Sequence, residues 1–198
     1  MNVTVAVTGA SGALLAQQLL RSLEADARVS GVDFIVSESA LRVIAEELRL
    51  SGRNDLLEKL LSGTPKKTRS HAEQDIGASI ASGSYPSAGM IVLPCSMGTL
   101  AGIANGTARN LIERGADVCL KERRPLLLCV RETPFNKIHL RNMQLAADAG
   151  ATIFPVIPAF YNEPVTTADM VRNYVDRVLA HFGLPQPGAF VWKANPAE

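Results

Sequence analysis

Small hydroxyl and glycine residues recur wherever an apolar run of this chain ends. Val3-Thr4-Val5-Ala6-Val7 runs into Thr8-Gly9-Ala10-Ser11-Gly12, and Val32-Asp33-Phe34-Ile35-Val36 stops at Ser37. Met90-Ile91-Val92-Leu93 breaks at Pro94 into Cys95-Ser96-Met97-Gly98-Thr99. Pro125 to Val130 ends at Arg131-Glu132, and Ala151 to Val156 leads towards Tyr161. A strand that ends in a small polar turn before a helix offers free backbone N–H groups and hydroxyls, which suit an anion. The repetition at successive strand ends therefore predicts one rim that takes a phosphate-bearing ligand.

Two groups of charges carry candidate chemistry. Arg131 and Glu132 are adjacent, so on an extended chain they point opposite ways unless the strand has already turned at Thr133-Pro134. Glu132 is either an acid–base group or an ion-pair partner of a rim cation. Lys121-Glu122-Arg123-Arg124 precedes its strand and so falls at the rim opposite the proposed site. Within one subunit it reads as a solvated helix C-terminus. If Lys121 or Arg114 acts on a ligand, that ligand belongs most simply to a neighbouring subunit. The Gly-x-x-Gly spacing of Gly9 and Gly12 is not the Gly-x-Gly-x-x-Gly dinucleotide pattern, and Ser37 stands where a ribose-binding acid would be wanted, so a pyridine-nucleotide site is disfavoured.

Alternating strands and helices must position these groups. Helices are expected over 13–23, with Leu14, Leu15, Leu19, Leu20 and Leu23 as apolar stripe, and over 38–48, 55–61, 108–121, 138–149 and 168–181. A further helix is expected from Leu100. Residues 63–70 read as an exposed loop, Ala78 to Ser84 as a small polar segment outside the core, and His71 as a solvated loop histidine. The pattern predicts an α/β fold with a single Rossmann-like or flavodoxin-like domain, a parallel sheet flanked by helices, over 1–184, and an extended tail over 185–198.

Composition narrows the function classes. The 198 residues suffice for one domain, and a net charge of +1 with no basic aromatic cluster argues against nucleic acid or an anionic membrane as partner. No apolar run approaches the roughly 20 residues of a membrane span. The chain is expected to open directly on a strand without a signal peptide. Three cysteines without metal-ligand spacing, two of them (Cys119 and Cys129) in apolar surroundings, fit a reducing cytoplasm, and no metal ligands are expected.

The motifs Thr8 to Ala13, Ser37, Ala81-Ser82-Gly83-Ser84, Leu93 to Leu100, Asn110 to Val118, Leu120 to Leu126, Val130 to Pro134 and Pro158-Ala159-Phe160-Tyr161 resemble those of UbiX-type flavin prenyltransferases, in the wider flavin-binding cysteine-decarboxylase-like group. The resemblance spans residue 3 to about 184. It implies a high-order homo-oligomer, typically a dodecamer, that joins the dimethylallyl group of dimethylallyl phosphate to reduced FMN and hands prenylated FMN to a UbiD-type decarboxylase. By the same resemblance Gly9, Ala10, Ser11, Ser37, Ser96, Met97, Gly98, Thr99 and Arg131 are expected to bind the flavin. Tyr161 and Arg177 are expected at the prenyl phosphate, with Arg114 and Lys121 reaching it from adjacent subunits, and Glu132 as the acid–base group. Breaking an allylic carbon–oxygen bond releases a phosphate, which Arg114, Lys121 and Arg177 can stabilise while Tyr161 donates a hydrogen bond. Ile76 stands where some relatives carry an aromatic residue. An FMN-dependent cysteine-type decarboxylase needs a catalytic histidine, for which His71, His139 and His181 offer no convincing match. A non-catalytic FMN-binding subunit is the third reading.

Overall fold

The computed structural model describes residues 1–50 and 55–192. It divides into two compact units, Met1–Val156 and Ile157–Glu198.

The first unit carries β1 (Asn2–Val7), α1 (Ala13–Ala25), β2 (Gly31–Val36), α2 (Glu38–Glu47), α3 (Leu56–Leu61), β3 (Thr68–His71), a 3₁₀ turn (Ser79–Ala81), β4 (Ser87–Cys95), α4 (Met97–Ala104), α5 (Leu111–Lys121), β5 (Leu126–Val130), α6 (Lys137–Asp148) and β6 (Thr152–Ile153). Its six strands lie in the order β3-β2-β1-β4-β5-β6, every pair parallel. Without the edge strand β3, the order is that of the flavodoxin-like doubly wound sheets. Ala6, Ile35, Met90, Val92 and Leu128 form one core face with Leu100 of α4 and Leu111, Ile112 and Ala116 of α5. Strand residues of the other parity, Val5, Phe34, Ile91 and Leu127, are equally buried. Both faces are therefore covered, which is why the strands read as continuous apolar runs.

Several local expectations are corrected. The stretch read as an exposed loop over 63–70 contains most of β3, which pairs Val32 with Thr68 and Ile35 with His71. Thr68, Arg69, Ser70 and His71 carry no apolar signal because this is an edge strand held by polar partners, with Glu24 accepting from the amide and hydroxyl of Thr68 and a buried carboxylate bonded to Arg69 and His71. The buried carboxylate is Asp33, 1% exposed, whose Oδ1 lies 2.7 Å from His71 Nε2 and 2.5 Å from Arg69 Nε. His71 is thus tied into a buried network and is not a solvated loop residue. β4 does not break at Pro94 but runs to Cys95, with a register shift between Val92 and Cys95 that accommodates a residue lacking an N–H. α4 begins at Met97, earlier than Leu100, because Ser96 caps it. Ile80 of the small polar segment is buried in the core cluster, and Leu14 of the predicted α1 stripe is exposed.

The second unit holds α7 (Thr167–His181), opened by Thr166, whose hydroxyl accepts from Asp169 N while the Asp169 carboxylate accepts from Thr166 N. Tyr161, Phe190 and Trp192 form an aromatic group, with the Tyr161 ring 5.4 Å from Phe190 and 5.5 Å from Trp192. Residues 193–198 of the expected extended tail lie outside the described residues. Among the described residues no helix is long and apolar enough to cross a membrane.

Candidate active site

In an open parallel sheet the ligand crevice lies outside the carboxyl ends of the strands, where the strand order reverses. Here that point falls between β1 and β4. The turns leaving the two strands are stitched together by Thr8. Its hydroxyl donates to Pro94 O at 2.8 Å and accepts from Ser96 N at 2.8 Å, and its amide also reaches Pro94 O. On one side Ser37 N donates to Val7 O at 3.0 Å, and on the other Arg131 N donates to Cys95 O at 3.2 Å. The ends of β2, β1, β4 and β5 therefore form one continuous rim. It carries Ser37, Gly9-Ala10-Ser11, Ser96-Met97-Gly98-Thr99 and Arg131-Glu132 side by side.

The hydroxyls on this rim already shape it. Ser37 Oγ accepts from Ala40 N at 3.1 Å and caps α2, and Ser96 Oγ accepts from Thr99 N at 3.3 Å and caps α4. Ser96 Oγ also donates to Thr99 Oγ1 at 3.1 Å, which leaves the Thr99 hydroxyl proton for a ligand, and Ser37 Oγ lies 3.1 Å from Ser39 Oγ. Met97, Gly98 and Thr99 occupy the first turn of α4, whose amides lack partners within the helix. A Cβ built on Gly98 would meet no atom within 4 Å, so the rim is open there. Arg131 is exposed, and Glu132 Oε1 accepts from Thr133 N at 2.9 Å. Open space beside amides, hydroxyls and one guanidinium is a donor set that fits a planar, acceptor-rich ring with an anionic tail.

Glu47, the last residue of α2, was not legible as part of this rim. Its carboxylate accepts from Ala13 N at 2.7 Å and Gly12 N at 3.1 Å, and it is bonded to the Ser11 side chain. Burial alone would raise its pKa, but the bonds from Ser11, Ala13 and Gly12 and the charge of Arg131 outweigh that and hold it low. The anion at the N-terminus of α1 is therefore supplied by the chain itself. A ligand phosphate at this turn would have to displace Glu47, so the turn suits an uncharged ring edge better. No sequence signal marks Glu47, because it reaches α1 from the far end of another helix.

The remaining predicted residues lie elsewhere. Arg114 Nη1 pairs with Asp117 at 2.7 Å and its Nε donates to Ala81 O at 3.1 Å. Lys121, the last residue of α5, pairs with Glu122. Lys121 precedes β5 and Glu132 follows it. At about 3.3 Å per residue the strand separates its two ends by roughly 16 Å. The structure therefore does not bring Lys121 to the Glu132 rim of its own subunit. Tyr161 and Arg177 belong to the second unit, where both are exposed and Arg177 stands on α7.

Comparison with known proteins places this architecture. The model of the family described as Flavoprotein matches residues 1–181. The flavin prenyltransferase UbiX of Salmonella typhimurium is 45% identical over 92% of both chains. Among solved structures, a dodecameric FMN-dependent UbiX-like decarboxylase from Escherichia coli O157:H7 superposes with a TM-score of 0.86 at 42% identity, covering 97% of this chain and 99% of that one. AnUbiX (PadA1), solved in complex with FMN and dimethylallyl pyrophosphate, gives 0.85 at 39% identity and 96% coverage of each. The chain belongs to the Flavoprotein family, among the UbiX flavin prenyltransferases.

Proposed function

We propose that this protein transfers the dimethylallyl group of dimethylallyl phosphate to reduced FMN, releases phosphate and delivers prenylated FMN to a UbiD-type decarboxylase. Gly9, Ala10, Ser11, Ser37, Ser96, Met97, Gly98, Thr99 and Arg131 hold the flavin, with its ring edge at the Gly9–Ser11 turn. Reduced flavin supplies the electron-rich ring that accepts the prenyl group. Glu132 takes up the proton lost as the new carbon bond forms. Arg114, Lys121 and Arg177 stabilise the leaving phosphate dianion, and Tyr161 donates to it.

The observation that carries this reading is the division of the residues between two rims. The flavin set is continuous across four adjacent strand ends, while Lys121 sits at the other end of β5. A phosphate held by both Lys121 and the flavin rim needs a second subunit. We accordingly infer a homo-oligomer in which Arg114 and Lys121 complete a neighbour's site, with twelve copies as in the Escherichia coli O157:H7 relative.

The test is an anaerobic incubation with reduced FMN and dimethylallyl phosphate, followed by mass spectrometry of the released flavin. A flavin heavier by one five-carbon unit is expected. Unmodified flavin, from protein that binds FMN and with the pyrophosphate also tried, sinks the transferase reading.

A further inference from the structure

Beside Lys121 lies a turn that the roles above leave unexplained. Tyr85 N donates to Ser82 O at 3.2 Å, which closes Ser82-Gly83-Ser84-Tyr85 as a tight turn, and the hydroxyls of Ser82 and Ser84 lie 2.9 Å apart. A Cβ on Gly83 would come within 2.6 Å of Lys121 Nζ and closer still to the Glu122 carboxylate. The turn backbone therefore sets how near the Lys121 ammonium can lie.

The carbonyls of this segment are bound by two arginines. Arg124 Nη2 donates to Gly83 O at 2.5 Å and Nη1 to Tyr85 O at 2.8 Å, while Arg114 holds Ala81 O. A planar guanidinium can serve two carbonyls at once with fixed geometry; a lysine cannot. The other end of Tyr85 is anchored as well. Its hydroxyl donates to Asp33 Oδ2 at 2.9 Å and accepts from Asn2 Nδ2 at 3.3 Å, with Arg69 also bonded to it. Burial would raise the Asp33 pKa, but the bonds from Arg69, His71 and Tyr85 outweigh it, so the anchor is a carboxylate. Arg124 is only half-buried, yet both of its terminal nitrogens are engaged by backbone.

We propose that Arg124, seconded by Tyr85, is a positioning residue for the prenyl-phosphate subsite. It fixes the Ser82–Ser84 turn against Lys121, and it neutralises carbonyl dipoles that would otherwise repel a phosphate dianion there. Arg124 does not itself touch the phosphate. The proposal rests on the reading of Lys121 as a phosphate ligand.

The test compares Arg124→Gln, Arg124→Lys and Tyr85→Phe with the wild type, in the assembled protein. The Michaelis constant for dimethylallyl phosphate is expected to rise about tenfold in Arg124→Gln, the equivalent of losing one charge-assisted hydrogen bond's worth of binding. The turnover number should stay within about threefold, and FMN affinity and subunit number should not change. Arg124→Lys, which can still serve one carbonyl, should recover part of the loss. Tyr85→Phe, which leaves Arg124 in place, should show a smaller rise. An unchanged Michaelis constant in Arg124→Gln overturns the proposal. So does a parallel fall of FMN affinity and thermal stability with no split between the two kinetic constants, because that is the signature of fold support alone. If the wild type makes no prenylated flavin, the transferase reading fails separately. The same variants are then read by the concentration of dimethylallyl phosphate that raises the thermal midpoint, and the same tenfold shift is expected. An unshifted titration overturns the proposal in that case too.

Discussion

Gly9→Ala tests the proposed flavin rim most directly. Gly9 does not adopt a left-handed φ, so its requirement is for space. An added Cβ would lie 2.6 Å from Cβ of Ser39, in the first turn of α2. A rotamer change cannot relieve this, since Cβ is fixed by the backbone. Restoring about 3.4 Å, the edge of ordinary contact, needs the β1 turn and α2 to part by about 0.8 Å. The bond from Ser37 N to Val7 O, now 3.0 Å, ties these same segments together and would stretch beyond use. Overpacking of this kind costs about 1–3 kcal/mol. Taking about 2 kcal/mol, borne by displacement of the flavin turn, FMN affinity should weaken about thirtyfold. Quenching of FMN fluorescence by the protein measures this, with the thermal midpoint recorded alongside. Ser39→Gly in the same chain removes the clashing atom at a helix-propensity cost of below about 1 kcal/mol and should restore most of the affinity. FMN binding by Gly9→Ala within about threefold of the wild type would refute the reasoning, as would failure of Ser39→Gly to rescue it.

Glu132→Gln should slow prenyl transfer by about 10²–10⁴-fold while FMN still binds, measured by single-turnover product formation. Because Lys121 and Glu132 are held to act from different subunits, mixing Lys121→Ala with Glu132→Gln protomers under conditions that exchange subunits should regain activity that neither has alone; mixtures as inactive as their components argue against a shared site. Asp33→Asn should destabilise the fold by about 3 kcal/mol at neutral pH, since it leaves Arg69, His71 and Tyr85 facing a neutral group. The folded pKa of Asp33 lies below its ordinary 3.8, so this contribution is present above that value and is lost as pH falls through the folded one. The gap in thermal midpoint between Asp33→Asn and the wild type should accordingly narrow only below about pH 4. Cys95, Cys119 and Cys129 are buried, with burial pushing Cys119 to about 12 and Cys95 higher still. Iodoacetamide at pH 8 should leave the folded protein unmodified and label it only after denaturation, as read by intact mass.

The sheet was legible because its strands are buried on both faces. Met90 to Leu93 and Leu126 to Val130 carry unbroken apolar signals, Val3 to Val7 and Val32 to Val36 are interrupted only by Thr4 and Asp33, and small residues punctuate their ends. The sequence by itself therefore determined the α/β class, the run of rim residues from Gly9 to Arg131, and the placement of Lys121 before rather than after its strand. β3 was not legible, since an edge strand of Thr, Arg, Ser and His is held by two carboxylates distant in sequence, Glu24 on Thr68 and Asp33 on Arg69 and His71. The strand order, which sets β1 beside β4 and makes a single rim of separate turns, was decided only by the tertiary structure. So were the reach of Glu47 to the N-terminus of α1 and the grip of Arg124 on Gly83 and Tyr85. In the last two cases a long polar side chain crosses to a distant part of the chain. Periodicity reports which face of an element is apolar, whereas the partner of an isolated charge is fixed only once the chain has folded.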